Sequence, residues 1–416
     1  MALAPARRGP QPTPNMPAPP ATNDLLQGNA ADNLLVGGTG NDTIDGGAGI
    51  DTADYSALRN GVTLLSQGVV GKGAAGTDLL IGIERIIGAV GKANLIDGTV
   101  TNPATQTTSF KVDLGANTLQ VNGIPGLGSL NFVVENFNQV RGTNNADAVI
   151  GAATNDTFFG SAGNDTYNGA AGTDTLDYST LGTAVTLRSQ GVIAKGALGQ
   201  DTILNVEKII GATGQANLID GTVANPAAQT TSFAIDLALG KLVVNGVPGL
   251  GSFTFDIANF PNVTGTNNAD SIRGDDRANT LIGGGGDDTL SGGGGGGDKL
   301  IGGQGADTIS LGAGRDLVVF NNAAEGGDII RDFRGREDDV QISASGFGLD
   351  AGPLTSGEFA ANRAGVATAA EAQFIYDTDG GQFYFDADGT GAGASVLLAT
   401  FQGAPGLSLS DLVVIA

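Results

Sequence analysis

The 416-residue sequence contains no cysteine, no histidine and no tryptophan. Without cysteine the chain cannot form a disulfide framework, and without cysteine and histidine it lacks the usual ligands of zinc sites. A catalytic triad built on histidine is excluded for the same reason. Any metal site therefore has to rest mainly on oxygen atoms of side chains and of the backbone.

Basic residues and glutamate are also scarce. The chain has 20 Lys and Arg against 43 acidic residues, a net charge of −23, and only 7 of the acidic residues are Glu while 36 are Asp. An acidic surface argues against nucleic acid or an anionic membrane as a partner. A merely solvated surface would mix both carboxylates, so the excess of Asp indicates short ligands in tight turns. The 70 glycines support the same interpretation.

Long hydrophobic runs are missing as well. No apolar stretch approaches the roughly 18–20 residues that a transmembrane helix needs, so no membrane span is expected. The start, MALAPARRGPQPTPNMPAPPATN, has no hydrophobic region, and a Sec signal peptide is not predicted. Residues 1–20 are rich in Pro and Ala and are expected to form a disordered or extended lead.

Glycine and aspartate recur in a nine-residue pattern between Gly283 and Val319. The segment reads GGGGDDTLS, GGGGGGDKLI, GGQGADTIS and LGAGRDLVV, with one extra residue in the second copy. Glycine mostly occupies the first, second and fourth places, Asp the sixth and a large apolar residue the eighth. A flexible linker has no reason to place an aliphatic residue two positions after each Asp. The pattern therefore predicts a folded repeat.

This spacing predicts metal-binding turns joined by short strands. Glycine permits positive φ and close backbone approach, which leaves carbonyl oxygens free to point inward. Two copies make one coil, so turns about 18 residues apart should stack, and Asp288 should face Asp307 while Asp298 faces Asp316. Such oxygen ligands suit Ca²⁺ better than Mg²⁺. Stacked carboxylates repel one another, so metal binding and folding are expected to be one event.

The nonapeptide resembles the repeat of RTX proteins, whose parallel β-helix binds calcium. The apolar residues at the eighth place are predicted to point between two sheets and to form a thin core. They are Leu290, Leu300, Ile309 and Val318.

A longer repeat of 123 residues contains two further runs of the pattern. Asn41-Asp42-Thr43 recurs at Asn164-Asp165-Thr166, for example, without a gap. The predicted order is a lead (1–20), run 1 (21–54), module 1 (55–141), run 2 (142–177), module 2 (178–264), run 3 (265–320) and a C-terminal cap (321–416). Each run also contains degraded turns that lack some of the glycines, and these turns are either weak calcium sites or purely structural coils.

The modules alternate apolar and polar residues, which predicts strands. Glu84 beside Arg85, and Glu207 beside Lys208, are interpreted as exposed ion pairs rather than catalytic acids. Asp97 and Asp220 lie outside the repeat pattern and are the first residues to test for an alternative function, an extracellular hydrolase acting on polysaccharide or another polymer.

The last hundred residues resemble the C-terminal part of serralysin-type metalloproteases and other RTX proteins of type I secretion. Asp328-Ile-Ile-Arg-Asp332-Phe333 matches a D-x-I-x-D-F segment that closes the roll, and Asp411 with the apolar residues after it resembles the secretion signal. The resemblance implies metal-binding roles for Asp332 and Asp339 and export by a Gram-negative type I route. The H-E-x-x-H motif of the proteases is absent, so the resemblance does not extend to the protease.

Aromatic residues in this cap are predicted to form its core. They are Phe320, Phe333, Phe374, Tyr376, Phe383, Tyr384 and Phe385. The sequence Asp386-Ala-Asp388-Gly389 resembles half of an EF-hand loop without its later Glu, and it is either a calcium loop or a hairpin turn.

We therefore expect an all-β parallel β-roll or β-solenoid with three nonapeptide runs, two β modules and a β-sandwich-like cap. The expected function is a secreted, non-enzymatic, calcium-binding protein that folds on extracellular Ca²⁺ and has a structural, adhesive or surface role. Its expected partners are calcium, the type I secretion machinery and a component of the cell surface or extracellular matrix. The candidate calcium-binding residues are Asp24, Asp42, Asp51, Asp147, Asp156, Asp165, Asp174, Asp270, Gly284, Gly286, Asp288, Gly295, Asp298, Gly303, Gly305, Asp307, Gly314, Asp316, Asp332 and Asp339.

Overall fold

The computed structural model describes residues 15–17, 22–65, 68–99, 108–124, 126, 128–188, 191–222, 231–247, 251–350 and 352–415. Strands make up 45% of the described residues and helices 4%. The prediction of an all-β roll is therefore confirmed. Of the predicted lead, Asn15–Pro17 forms a short strand, and the remaining residues of 1–20 lie outside the described ranges.

Forty strands, β1 to β40, occur in the described ranges. In run 1 they are β1 (Asn15–Pro17), β2 (Leu25–Gln27), β3 (Leu34–Val36), β4 (Thr43–Asp45) and β5 (Thr52–Asp54). In module 1 they are β6 (Thr63–Leu65), β7 (Val69–Gly71), β8 (Thr77–Ile81), β9 (Arg85–Ile87), β10 (Leu95–Asp97), β11 (Ser109–Asp113), β12 (Thr118–Ile124), β13 (Gly128–Glu135) and β14 (Gln139–Arg141).

In run 2 the strands are β15 (Ala148–Ile150), β16 (Thr157–Phe159), β17 (Thr166–Asn168) and β18 (Thr175–Asp177). In module 2 they are β19 (Thr186–Arg188), β20 (Val192–Ala194), β21 (Gln200–Leu204), β22 (Lys208–Ile210), β23 (Leu218–Asp220), β24 (Ser232–Asp236), β25 (Lys241–Val247), β26 (Gly251–Ala258) and β27 (Asn262–Thr264).

In run 3 the strands are β28 (Ser271–Arg273), β29 (Thr280–Gly285), β30 (Thr289–Ser291), β31 (Lys299–Gln304), β32 (Thr308–Ser310) and β33 (Leu317–Phe320). The cap contains β34 (Asp328–Arg331), β35 (Asp339–Ser343), the helix α1 (Ala344–Phe347), β36 (Phe359–Asn362), β37 (Gln373–Asp377), β38 (Gln382–Asp386), β39 (Val396–Phe401) and β40 (Leu412–Ile415).

The chain divides into two compact units, residues 1–183 with 191–213 and residues 184–190 with 214–416. In the first unit one series of paired strands runs β2-β4-β8-β7-β6-β10-β14-β16-β18-β22. The other runs β1-β3-β5-β9-β13-β12-β11-β15-β17-β21-β20.

The second unit has two series of the same kind. One runs β19-β23-β27-β29-β31-β33-β35-β40. The other runs β26-β25-β24-β28-β30-β32-β34-β39-β38-β37-β36.

Pairing is parallel between coils of the runs and antiparallel within inserts that the modules contribute. In the first unit β6, β7 and β8 form one antiparallel insert, and β11, β12 and β13 form another. Antiparallel neighbours need only a short hairpin, whereas parallel neighbours need a full crossover. The modules therefore add three-stranded inserts to the roll as well as further coils.

The three-residue strands follow from the repeat pattern. The central residue of a strand points inward and its neighbours point outward, since side chains alternate along a strand. Leu290, Leu300, Ile309 and Val318 are each 0% exposed. They stack in register, with Leu290 opposite Ile309 and Leu300 opposite Val318. The predicted thin core is confirmed.

The cap is built around aromatic side chains. The ring of Phe374 lies 5.3 Å from Phe347, 5.6 Å from Phe383 and 4.9 Å from Phe385, measured between centroids. Six of the seven predicted aromatic residues are buried, and Tyr384 is half-buried. Because β34 pairs with β39, this aromatic core is joined directly to the last coils of run 3.

Candidate metal centre

Hydrogen bonds form a ladder through successive aspartates of run 3. The backbone N–H of Asp288 donates to Oδ1 of Asp307 at 2.8 Å, and that of Asp298 donates to Oδ1 of Asp316 at 2.8 Å. The backbone N–H of Asp307 in turn donates to Oδ1 of Asp328 at 3.0 Å. All five side chains are buried. The structure thus brings together both pairs of carboxylates that the sequence places on stacked turns.

In four of these five aspartates, the second carboxylate oxygen has no hydrogen-bond donor in the described ranges. The Oδ2 atoms of Asp288, Asp298, Asp307 and Asp316 are buried and accept no hydrogen bond from the described residues. Leaving a buried polar group unsatisfied costs about 1–3 kcal/mol, and more for a charged group. Native proteins rarely retain such atoms unless a ligand, an ion or water completes them. A cation with affinity for oxygen would satisfy all four atoms.

Glycine at the first place of the repeat makes room for this oxygen. A Cβ on Gly283 would lie 2.2 Å from Oδ2 of Asp288, and one on Gly302 would lie 2.2 Å from Oδ2 of Asp307. The Cβ on Gly283 would also lie 2.5 Å from the carbonyl oxygen of Gly302. A carboxylate oxygen and a carbonyl oxygen of the neighbouring coil therefore line the same space. Positive φ angles occur at all six candidate glycines, which are Gly284, Gly286, Gly295, Gly303, Gly305 and Gly314.

The buried aspartates of the ladder are difficult to ionise without a cation, and their pKa values are raised. Burial, together with the carboxylates of Asp307 and Asp270, raises the pKa of Asp288 to about 8. Burial and Asp316 raise the pKa of Asp298 to about 6. Burial also raises the pKa of Asp307. A divalent cation would remove this electrostatic cost.

The donor set fits calcium if backbone oxygens contribute. Among the described residues, no group of three or more Asp, Glu, His or Cys side chains surrounds a single point. Calcium takes six to eight oxygens and accepts backbone carbonyls among them. The turns offer carboxylates, inward-facing carbonyls and no nitrogen or sulfur ligand, which is the hard oxygen environment that calcium prefers.

Four segments match the family of RTX calcium-binding nonapeptide repeats, at residues 21–53, 141–176, 264–297 and 293–322. The chain carries RTX-type repeats. The matches coincide with the three runs, and run 3 is matched twice. Because the RTX nonapeptide is a calcium-binding motif, Ca²⁺ is the cation of these repeats.

Two solved structures are similar to parts of this RTX-type chain. The AlgE6R3 subunit of the mannuronan C5-epimerase of Azotobacter vinelandii is 27% identical, with 35% of this chain and 78% of that chain covered and a TM-score of 0.25. The extracellular lipase LipA of Serratia marcescens is 17% identical, with 65% of this chain and 40% of that chain covered and a TM-score of 0.23. A comparison with curated proteins gives no match.

One edge of RTX runs 1 and 2 has a ladder like that of run 3. The N–H of Asp51 donates to Oε2 of Glu84 at 2.9 Å, and that of Asp174 donates to Oε2 of Glu207 at 2.8 Å. Asp156 donates to Oδ1 of Asp174 at 2.7 Å. One oxygen of each of Asp51, Asp156 and Asp174 is buried without a donor in the described ranges. Asp51 and Asp174 therefore resemble the aspartates of run 3. Asp156 differs from them, because its Oδ2 accepts from the N–H of Ala152 at 2.6 Å and its Oδ1 is the atom without a donor.

The interpretation of Glu84 and Arg85 as an exposed pair is wrong. Arg85 instead contacts Glu135, and Glu84 takes the place of a ladder aspartate. The longer side chain of Glu84 lets it reach Asp51 from outside the nonapeptide frame, which is why the repeat pattern does not reveal its position.

On the other edge of runs 1 and 2, a lysine reaches the carboxylates. Oδ2 of Asp42 lies 3.0 Å from Nζ of Lys72, and Oδ2 of Asp165 lies 3.2 Å from Nζ of Lys195. Asp24 donates its N–H to Oδ1 of Asp42 at 3.0 Å. Calcium binding by Asp24, Asp42 and Asp165 remains a prediction.

Protein donors surround the carboxylates of the glycine-poor GTNNAD turns. Asp147 accepts from the N–H of Thr143 at 2.6 Å and from that of Phe110. Asp270 accepts from the N–H of Thr266 at 2.5 Å and, through Oδ1, from the Thr266 hydroxyl at 3.1 Å. This arrangement favours the structural interpretation of these turns over the calcium-binding one.

The ladder of run 3 ends on Asp328 and Asp338 rather than on Asp332 and Asp339. Asp316 donates to Oδ1 of Asp338 at 3.1 Å. Asp332 accepts from the N–H of Leu311 at 2.8 Å, and Asp339 pairs with Arg315 at 2.8 Å. Asp338 directly precedes Asp339, so the acidic pair was visible in the sequence but its register was not.

The residues named for a hydrolytic site lie in ion pairs and turns. Asp97 pairs with Arg141 at 3.2 Å, and Asp220 accepts from the Thr222 hydroxyl at 2.7 Å.

The segment that resembles half of an EF-hand loop lies between two strands of the cap. Asp386 ends β38, and Asp388 accepts from the N–H of Gly393 at 3.0 Å within the loop that leads to β39. Asp386-Ala-Asp388-Gly389 is thus the start of a loop between antiparallel strands.

Proposed function

We propose that this chain is a secreted RTX-type protein whose third run becomes ordered when it meets extracellular calcium. The observation that carries the proposal is the row of buried Oδ2 atoms in Asp288, Asp298, Asp307 and Asp316 without donors. These four aspartates, with carbonyl oxygens of the glycine turns, are the calcium-binding residues of run 3. Asp51, Asp156 and Asp174 are proposed to hold calcium in runs 1 and 2.

Calcium stabilises the folded chain because it binds there and not to the unfolded chain. Sites of extracellular modules have dissociation constants of roughly 10⁻⁴–10⁻³ M. At ten times the dissociation constant each site contributes about 1.4 kcal/mol. Four such sites would contribute about 6 kcal/mol, which is comparable to the total stability of a domain. Calcium can therefore decide whether run 3 folds.

Folding that depends on calcium is compatible with export of an unfolded chain through a narrow channel. Where free calcium is low, the charged carboxylates keep the run unfolded, and outside the cell calcium folds it. None of the helices in the described ranges has the length and apolar character needed to span a bilayer.

The secretion signal is proposed to lie in the cap, residues 321–416, because this segment resembles the C-terminal part of type I substrates. Fusion of residues 321–416 to a reporter, expressed with a type I exporter, should give export, and retention of the fusion would contradict this assignment.

The role after secretion is proposed to be structural or adhesive rather than catalytic. The carboxylates outside the ladders that were considered for catalysis, Asp97 and Asp220, lie near Arg141 and Arg188. A carboxylate that is paired with an arginine in this way is not free to act as a general acid or base on a substrate. A component of the cell surface or extracellular matrix is the proposed partner, and a calcium-dependent pull-down tests this.

Circular dichroism of the full chain tests the calcium response. Spectra are recorded in EGTA and after addition of millimolar Ca²⁺, with Mg²⁺ as the control cation. Calcium should increase the β signal and Mg²⁺ should not. Identical spectra in EGTA and Ca²⁺ would overturn the proposed function.

A further inference from the structure

Lys72 of module 1 is a buried cation that contacts run 1. The residue is 1% exposed, although lysine almost never lies in a protein interior without a partner. Its Nζ donates to the carbonyl oxygen of Gly38 at 2.9 Å and to Oδ2 of Asp42 at 3.0 Å, and it lies 2.5 Å from Oδ1 of Asp78. An ammonium group has three donors, and three oxygens surround this one.

Lys195 repeats the arrangement 123 residues later. It is 0% exposed. Its Nζ donates to the carbonyl oxygen of Ser161 at 2.7 Å and contacts Asp165 at 3.2 Å and Asp201. Oδ2 of Asp201 also accepts from the Tyr178 hydroxyl at 2.6 Å. The same three kinds of oxygen, one turn carbonyl and two carboxylates of stacked coils, surround both ammonium groups.

These carboxylates belong to the same kind of ladder as those of run 3. Asp42 donates its N–H to Oδ1 of Asp78 at 3.0 Å, as Asp288 does to Oδ1 of Asp307 at 2.8 Å. The difference lies in the remaining oxygen. Oδ2 of Asp42 contacts the ammonium group of Lys72, whereas Oδ2 of Asp288 is buried without a donor in the described part of the chain. Oδ2 of Asp78 is also buried without a donor, but the ammonium group lies 2.5 Å from Oδ1 of the same carboxylate and compensates its charge.

The carbonyl oxygens also correspond. Gly38 and Ser161 occupy the second place of their nonapeptides, GGTGNDTID and GSAGNDTYN. An inward-facing carbonyl at a glycine-rich turn and the aspartate at the sixth place are the oxygens that the sequence pattern offers to calcium. Each lysine reaches them from the end of β7 or β20, in an insert that the module adds to the roll. The modules therefore bring a positive charge to one edge of runs 1 and 2.

We propose that the ammonium groups of Lys72 and Lys195 replace calcium at these two turns, so that one edge of run 1 and one edge of run 2 is closed without metal. This inference rests on the proposed calcium-binding function and assigns Asp42 and Asp165 to the lysines rather than to calcium. Calcium is then confined to run 3 and to the opposite edge of runs 1 and 2. The chain therefore binds fewer calcium ions than the number of aspartates at the sixth place of its nonapeptides.

The first test counts bound calcium by titration calorimetry of the full chain. Lys72→Ala and Lys195→Ala remove the ammonium group, leave two carboxylates and a carbonyl oxygen together, and vacate space. Each variant should bind one more calcium ion than the wild-type chain, and the double variant two more. Lys241→Ala is the control, since Lys241 is half exposed in a pair with Asp256 and its loss should leave the count unchanged.

An unchanged count in folded Lys72→Ala and Lys195→Ala chains would overturn the inference while leaving calcium binding by the wild type intact. A wild-type chain that binds no calcium would instead overturn the proposed function, and the two failures are thereby distinguished.

The second test uses the wild-type chain, in case the variants do not fold. An acetylating reagent is applied in EGTA and in Ca²⁺, and modification of each of the seven lysines is measured by mass spectrometry. Lys72 and Lys195 should be modified at least roughly tenfold more slowly than Lys241 in both conditions, because their contacts need no metal. If chelation makes them as reactive as Lys241, the inference is wrong.

Discussion

The backbone N–H of Asp288 binds Oδ1 of Asp307, and Oδ2 of the same Asp307 is buried without a hydrogen-bond donor in the described ranges. One oxygen of the carboxylate therefore holds two coils together, and the other remains for a cation. These two roles explain what aspartate supplies at the sixth place of a calcium-binding turn. An amide side chain would satisfy the backbone but would not supply the charge.

Asp307→Asn should separate these two roles. The amide oxygen keeps an acceptor for Asp288, so the β signal in EGTA should change little. The calcium concentration at the midpoint of folding should rise at least roughly tenfold, because affinity depends on the number of charged ligands. Titration followed by circular dichroism measures the midpoint.

Asp42→Asn is the matched variant in run 1, and it should behave differently. It removes a charged partner of the buried Lys72, which costs about 3–5 kcal/mol in comparable ion pairs. The loss of stability should be the same in EGTA and in Ca²⁺. A larger shift of the calcium midpoint for Asp42→Asn than for Asp307→Asn would contradict the assignment of Asp42 to Lys72 and of Asp307 to calcium.

Gly302→Ala should block the calcium turn by its volume alone. The new Cβ would lie 2.2 Å from Oδ2 of Asp307. Overpacking of this kind costs about 1–3 kcal/mol, and the calcium response of run 3 should weaken. Gly285→Ala is the control, since the nearest atom to its Cβ lies at 3.6 Å, an ordinary contact. Calcium titrations of the two variants should differ, and equal responses would argue against the turn as the site.

Without calcium, stability should fall as pH rises. Burial raises the pKa of Asp288 and of Asp328 to about 8, whereas an unfolded Asp titrates near 3.9. Between these values the folded chain binds more protons than the unfolded chain, so the stabilising effect of protonation is complete below about pH 4 and is lost by about pH 8.

Circular dichroism in EGTA at several pH values measures this effect, because the β signal of run 3 should increase as the pH falls, and Asp288→Asn should reduce that dependence on pH. Calcium affinity should change in the opposite direction, because protons compete with the metal. Stability that rises with pH in EGTA would contradict the assigned direction.

Phe374→Ala should weaken both the cap and run 3. Loss of a buried Phe costs about 3–5 kcal/mol. Because β39 of the cap pairs with β34, which carries Asp328, loosening the aromatic core should also raise the calcium midpoint. Val366→Ala, at a position 54% exposed, should have little effect on unfolding or on the calcium midpoint.

The nonapeptide frame predicted most of the ladder in run 3. Its period of nine fixes which aspartates stack and which apolar residues enter the core, and Asp288, Asp307 and Leu290 lie as expected. The extra glycine in the second copy shifts the spacing to 19 residues without breaking the pairing.

The sequence did not reveal residues that reach the ladder from outside the frame. Glu84 and Glu207 have longer side chains than Asp, and Lys72 and Lys195 follow strands that pair antiparallel, so the nine-residue period does not relate them to the turns. Only the recurrence of Lys72 at Lys195 hinted at a shared role. Asp328 and Asp338 follow a change of loop length after run 3, where the period no longer holds.

Hydrogen–deuterium exchange of the full chain tests the central claim most directly. Backbone amides of residues 283–319 should exchange rapidly in EGTA and become protected in Ca²⁺, with little change around Lys72 and Lys195. Equal protection of residues 283–319 in EGTA and in Ca²⁺ would contradict the claim that calcium completes the aspartate ladder of run 3.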